Sequence, residues 1–146
     1  ALSLCYICID TMALLGMPAN QTAQTRAEFI AWVEIYLKGH PSQPYQYRGL
    51  DVYAARCAVL HSLGAKADLH RQDQDVKMFG YHDGGLHMYN PDVNQRLVLI
   101  GLASFINDVV MAVEAFMKAC ENDAGLRALV EQRLPGVLAN TPLPRP

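Results

Sequence analysis

Val76-Lys-Met-Phe-Gly80-Tyr-His-Asp-Gly-Gly85-Leu-His-Met-Tyr-Asn90-Pro-Asp-Val-Asn-Gln95-Arg-Leu-Val-Leu-Ile100-Gly is the stretch on which the fold class turns, because the chain reads as helix on both sides of it. Two short runs rich in β-prone residues, 76–82 and 86–89, flank Asp83-Gly84-Gly85, whose glycines accept positive φ. The local chemistry therefore predicts a small β-hairpin over about 76–90. Pro91, Asp92 and Asn94 then introduce a long helix ending near Cys120. Its apolar part, 97–117, is about the length of a membrane span, but Asn107, Asp108 and Glu114 are costly in hydrocarbon, so it reads as a core helix. A shorter helix follows Asn122 and Asp123 to about Leu134. Pro135 stops it, and 135–146, with Pro142, Pro144 and Pro146, reads as a loose tail.

Upstream, a first helix is expected over about 2–17, with Leu4, Ile7, Cys8, Met12 and Leu15 near one inner stripe and Pro18 ending it. Thr25-Arg-Ala-Glu28 has the form of a capping box and opens a second helix with Phe29, Trp32, Val33, Tyr36 and Leu37 at helical spacing, stopped at Gly39. The segment 40–48, with Pro41 and Pro44, reads as a loop that leaves Tyr45 and Tyr47 near the surface. A third helix over about 50–63 places Leu50, Tyr53, Ala54, Cys57 and Leu60 inward and closes at Gly64. The expected architecture is an all-α bundle of about five helices with one small β-hairpin, forming a single domain over 1–134.

A chain of 146 residues suits one core, and 51% apolar with 18% charged residues lets that core be large, with apolar surface left for a subunit interface. A formal charge of −2 excludes a broadly basic nucleic-acid surface and leaves room only for a localised basic site. Cys5, Cys8, Cys57 and Cys120 read as free thiols of a reducing cytoplasm. The apolar start has no positive leader and is interrupted by Asp10, so neither a signal peptide nor a membrane anchor is expected.

On the third helix lies Leu50-Asp-Val-Tyr53-Ala-Ala-Arg56-Cys57-Ala-Val-Leu-His61-Ser. It resembles the signature of the HEPN superfamily (higher eukaryotes and prokaryotes nucleotide-binding), an Arg followed four to six residues later by a His on a bundle helix. The likeness extends to Asp10 in an apolar first helix, to Arg26-Ala-Glu-Phe29-Ile-Ala-Trp32, and to Tyr53 ahead of the Arg, and it covers roughly 1–62. It implies a helical bundle that forms a homodimer with two Arg/His pairs across a cleft. The activity it implies is cofactor- and metal-independent ribonuclease action on RNA, often as a toxin with an antitoxin partner. Other members of that fold are non-catalytic interaction modules. Many active members carry Asn where this chain has Cys57, and the Tyr that a subgroup has two residues after the His is here Leu63.

The residue chemistry fits the first implication. A His titrates near neutral pH and suits moving the proton of an attacking 2′-hydroxyl, the role for His61. A guanidinium is always cationic and forks onto phosphate oxygens, the role for Arg56. Five helical steps set the two side chains about 140° apart and about 7.5 Å along the axis. Convergence therefore needs Arg56 to reach forward, the helix end to relax, or a second copy to contribute. Asp10, a carboxylate among apolar residues, needs a partner and is expected beside Arg56 or His61; Tyr53 and Cys57 complete the supporting set.

Other candidates read as structural. Cys5-Tyr-Ile-Cys8 lacks the second pair of a zinc site. His82, Asp83 and His87 offer two imidazoles at a turn, too few for a metal. Lys66, His70, Arg71 and Lys77 are interleaved with Asp68, Asp73 and Asp75 and read as a solvated mixed-charge loop. Neither a serine-nucleophile elbow nor a phosphate-cradling glycine loop is present.

Overall fold

A computed structural model describes residues 1–41, 43, 45–61 and 66–137. The element order is α1 (Leu2–Gly16), α2 (Arg26–Trp32) continued by a π-helical turn (Val33–Leu37), α3 (Gly49–His61), α4 (Leu69–Gln72), β1 (Met78–His82), β2 (Met88–Tyr89), β3 (Leu97–Gly101), α5 (Leu102–Asn122) and α6 (Ala124–Val137).

The all-α expectation is corrected by a three-stranded mixed sheet in the order β1-β3-β2. β3 is central, parallel to β1 and antiparallel to β2, and the two arms of the expected hairpin do not pair with each other. Two physical causes account for this. Leu97-Val-Leu-Ile-Gly101 has the apolar character of the long helix it precedes, and a short apolar run does not distinguish strand from buried helix. In the fold its alternate β-branched residues Val98 and Ile100 are buried on the core face, and Gly101 marks the change to α5. The second cause lies at the glycines. Ser104 Oγ donates to Gly85 O at 2.9 Å, and a Cβ on Gly101 would stand 1.9 Å from that oxygen. The Gly84-Gly85 segment is thus packed over the β3–α5 junction and cannot return β1 onto β2.

The helices cover one face of this sheet. Tyr6 and Ile9 of α1, Phe29 and Val33 of α2 and its π turn, Val52 of α3 and Phe105 of α5 are all within 1% of full burial. The Tyr6 hydroxyl meets Tyr81 Oη at 2.7 Å, which satisfies a deeply buried polar group and ties α1 to β1. On α1 the inner stripe is rotated from expectation: Cys5, Tyr6, Ile9, Ala13 and Leu15 are buried, while Leu4 and Ile7 are 68% and 49% exposed. A helix apolar on all sides leaves its buried face to tertiary packing. The same holds on α3, where Val52, Ala54, Ala55 and Ala58 are buried and Leu50, Tyr53, Cys57 and Leu60 are only half-buried.

Polar anchors fix the connections. Asp51, fully buried, accepts from Arg48 N at 2.8 Å and Lys77 N at 2.9 Å, joining the start of α3 to the approach to β1. Arg133 donates to Leu15 O at 3.1 Å and Pro18 O at 2.9 Å, supplying partners to carbonyls at the end of α1 from α6. Tyr47, expected near the surface, is buried with its ring 5.2 Å from Phe79 and 5.6 Å from His87. Helix α6 continues through the exposed Pro135 to Val137, so Pro135 does not stop it as expected; its missing N–H forfeits one backbone bond. The expected end of α3 at Leu63 and Gly64 and the remainder of the tail, 138–146, lie outside the described residues. No described helix is long and apolar enough to cross a membrane.

Candidate functional site

The capping box sets the entry to the site. Thr25 Oγ accepts from Ala27 N at 3.2 Å, and Glu28 reaches back to Thr25 N at 2.7 Å, so the backbone of α2 begins at Arg26. Helix α2 packs on both α1 and α3, so Asp10, Arg26 and Arg56 come from three helices to one place.

Arg56 links the two motif positions. Its Nε and Nη2 donate to Asp10 Oδ2 at 2.8 and 2.7 Å, and its Nη1 lies 2.7 Å from His61 Nε2. Burial works against the cation, but the hydrogen bond and charge of Asp10 outweigh it and hold the guanidinium pKa above its ordinary value. The angular separation on the helix is overcome by Arg56 extending forward to the C-terminal end of α3. A guanidinium has donors only, so in this contact His61 Nε2 is the acceptor and the ring hydrogen is assigned to Nδ1. Cys57 Sγ lies 3.9 Å from Nη1, a weak acceptor at the edge of the same fork.

Two clefts open beside this chain of contacts. The larger, about 440 Å³, is lined by Arg26, Tyr53, Cys57 and His61 on one side and by Asp68 and Gln72 on the other. The smaller, about 100 Å³, is lined by Asp10, Gln24, Arg26, Tyr53 and Arg56. Arg26 and Tyr53 line both and so stand between them. The Tyr53 ring rests edge-on against Phe29, with centroids 5.4 Å apart. Burial and then Cys57 push its phenol up, while Arg56 and Arg26 pull it back. Arg26 is exposed and makes no hydrogen bond or ion pair among the described residues.

Asp10, Tyr53, Arg56, Cys57 and His61 are therefore brought together around these clefts. Arg26 and Gln24 are the residues that sequence reasoning missed. In the sequence Arg26 stands in a helix start and in the family likeness without a role of its own, and nothing local marks the turn before it as the wall of a cleft.

The remaining candidates are engaged elsewhere. His87 is buried; its Nδ1 accepts from Gly101 N at 3.2 Å and its Nε2 donates to Asp108 Oδ2 at 3.1 Å. His82 Nδ1 accepts from Gly84 N at 3.1 Å. His70 is buried between Ala67 N and Lys77 O, and Arg71 pairs with Asp68. Lys77 Nζ donates to Gln46 O at 2.6 Å and sits 4.2 Å over the Tyr89 ring. The four cysteines are free, with burial raising the thiols of Cys5, Cys8 and Cys120. Among the described residues there is no group of three or more His, Cys, Asp or Glu placed to hold a metal ion. Set against family models, curated proteins and solved structures, the chain matches none.

Proposed function

We propose that the chain is a HEPN-like, metal-independent endoribonuclease that acts as a homodimer. The observation that carries this reading is the 2.7 Å contact between Arg56 Nη1 and His61 Nε2, which joins Arg56 at the 100 Å³ cleft to His61 at the 440 Å³ one. A phosphodiester entering the cleft competes for Nη1 through a charge-assisted hydrogen bond. As Nη1 turns to the phosphate oxygen, the Nε2 lone pair is released beside the substrate. His61 then takes the proton of the 2′-hydroxyl. The 2′-oxygen bonds to phosphorus as the P–O5′ bond breaks, leaving a 2′,3′-cyclic phosphate and a 5′-oxygen that gains a proton from solvent. Asp10 keeps the other two guanidinium nitrogens in place and balances the charge of Arg56 when the cleft is empty. The step requires a 2′-hydroxyl, so RNA and not DNA is the substrate. The exposed Leu4 and Ile7, on the same helix as Asp10, give a second copy an apolar surface. In the toxin form of this reading, an antitoxin protein is a further partner.

One observation favours the rival reading, a non-catalytic interaction module: Nε, Nη1 and Nη2 of Arg56 all have partners without any substrate. Cleavage of a labelled mixed RNA pool in excess chelator separates the two. The nuclease reading expects chelator-resistant cleavage, lost in both His61→Ala and Arg56→Ala. A folded wild type that cuts nothing favours the module.

A further inference from the structure

We infer that the small cleft beside the Asp10–Arg56 pair is a second phosphate subsite, in which Arg26 and Gln24 hold the phosphate neighbouring the one that is cut. The cutting step rests on the nuclease reading; the binding of an anion in the small cleft does not.

The balance of donors and acceptors points to an anion. Two guanidiniums, Arg26 and Arg56, face one carboxylate, Asp10, whose Oδ2 already accepts twice from Arg56. Arg26 has no hydrogen bond or ion pair among the described residues, in contrast to the three engaged nitrogens of Arg56. The carboxamide nitrogen of Gln24 is buried and likewise has no partner among them. A buried donor left unmade is costly, and a ligand that only accepts hydrogen bonds satisfies both residues at once. The volume of about 100 Å³ leaves room for a tetrahedral oxyanion.

Placement identifies the oxyanion as part of a strand. Arg26 and Tyr53 are shared with the cleft that holds His61, so an anion in the small cleft lies one side chain away from the reacting position. Arg56 touches both ends of this arrangement: its Nε and Nη2 stand at the small cleft through Asp10, and its Nη1 stands at His61. A mononucleotide fills one position only. A strand with consecutive phosphates fills both, and its second phosphate fixes the register of the first against His61. Arg26 is thus a positioning residue whose effect falls on substrate affinity.

The test uses inorganic phosphate as probe, followed by amide NMR at low ionic strength with wild type, Arg26→Ala, Gln24→Ala and His61→Ala. Phosphate-dependent shifts are expected at Gln24, Arg26 and Tyr53, weakened about tenfold by Arg26→Ala, weakened less by Gln24→Ala, and retained in His61→Ala. Because Arg26 is exposed, its substitution leaves folding intact. Absence of these shifts, or their loss in His61→Ala alone, overturns the inference. A second arm compares cleavage of short RNAs with and without one flanking phosphate: Arg26→Ala should raise KM only when that phosphate is present and leave kcat unchanged. Phosphate binding without any RNA cleavage removes the nuclease reading and keeps the subsite. Cleavage that depends on His61 but ignores both Arg26 and the flanking phosphate removes the subsite and keeps the nuclease.

Discussion

His61 and His87 each stand beside a charged side chain, and they are wired in opposite senses. His61 accepts at Nε2 from Arg56 and lines an open cleft. His87 accepts at Nδ1 from Gly101 N, donates at Nε2 to Asp108, and is 3% exposed. In the proposed mechanism the first is held by a donor that a phosphate draws away, which leaves a lone pair available for proton transfer. The second has both nitrogens occupied by the backbone and a carboxylate that nothing displaces. A His–Asp pair is the more familiar sign of catalysis, yet here it is the buried one. What separates the two is whether a nitrogen can be released into space that a substrate enters.

The largest expected effect is at the open imidazole. His61→Ala should lower chelator-resistant RNA cleavage by about 10²–10⁴-fold, the usual contribution of a general acid–base group, with the urea midpoint unmoved. His87→Ala should do the reverse. It removes the ring that pairs with the buried Asp108 Oδ2 and with Gly101 N and should cost about 3–5 kcal/mol of stability in urea unfolding, while the activity per folded molecule is kept. Loss of activity per folded molecule in His87→Ala would break the division between the two regions.

His70 extends the comparison to pH. Its pKa is lowered chiefly by burial, so the folded protein favours the neutral ring more than the unfolded chain does. Stability is full above the unfolded value of about 6.5 and is lost as pH falls through the lower folded value. Urea midpoints taken downward from pH 7.5 should fall with that sign, and His70→Gln should flatten the slope. The smallest effect is expected at the helix start. Thr25→Ala removes the bond to Ala27 N, should cost about 1 kcal/mol, and should loosen phosphate at Arg26 without altering the His61 step.

Much of the helical framework was legible because it rests on local signals. The capping box at Thr25 and Glu28, the spacing from Phe29 to Leu37, and Pro18 after α1 each fix an element from a few neighbouring residues. β3 was not legible. Leu97 to Gly101 is as apolar as the helix it precedes, and its pairing with β1 and β2 is a non-local event. The Asp83-Gly84-Gly85 turn looks the same whether or not a hairpin follows, and the decision is made by the burial of His87 and the contact of Gly85 with the start of α5.

The site divides along the same line. Arg56, His61 and the isolated carboxylate of Asp10 stand out in the sequence by spacing and by context. Arg26 and Gln24 acquire meaning only when the chain after α1 folds against α3. Nothing local in the sequence marks Asp51 and Asp108 as buried, 0% and 1% exposed, because each has a partner distant in the chain.

The most direct test of the contrast between an open and a sealed imidazole is long-range nitrogen–proton NMR of the histidine rings near pH 7.5, with and without a non-cleavable DNA oligonucleotide. The expected result is an Nδ1–H tautomer at His61 whose Nε2 resonance moves as the strand binds, and an Nε2–H tautomer at His87 that does not respond. An Nε2–H tautomer at His61, or a His61 ring indifferent to the strand while His87 shifts, would contradict the account.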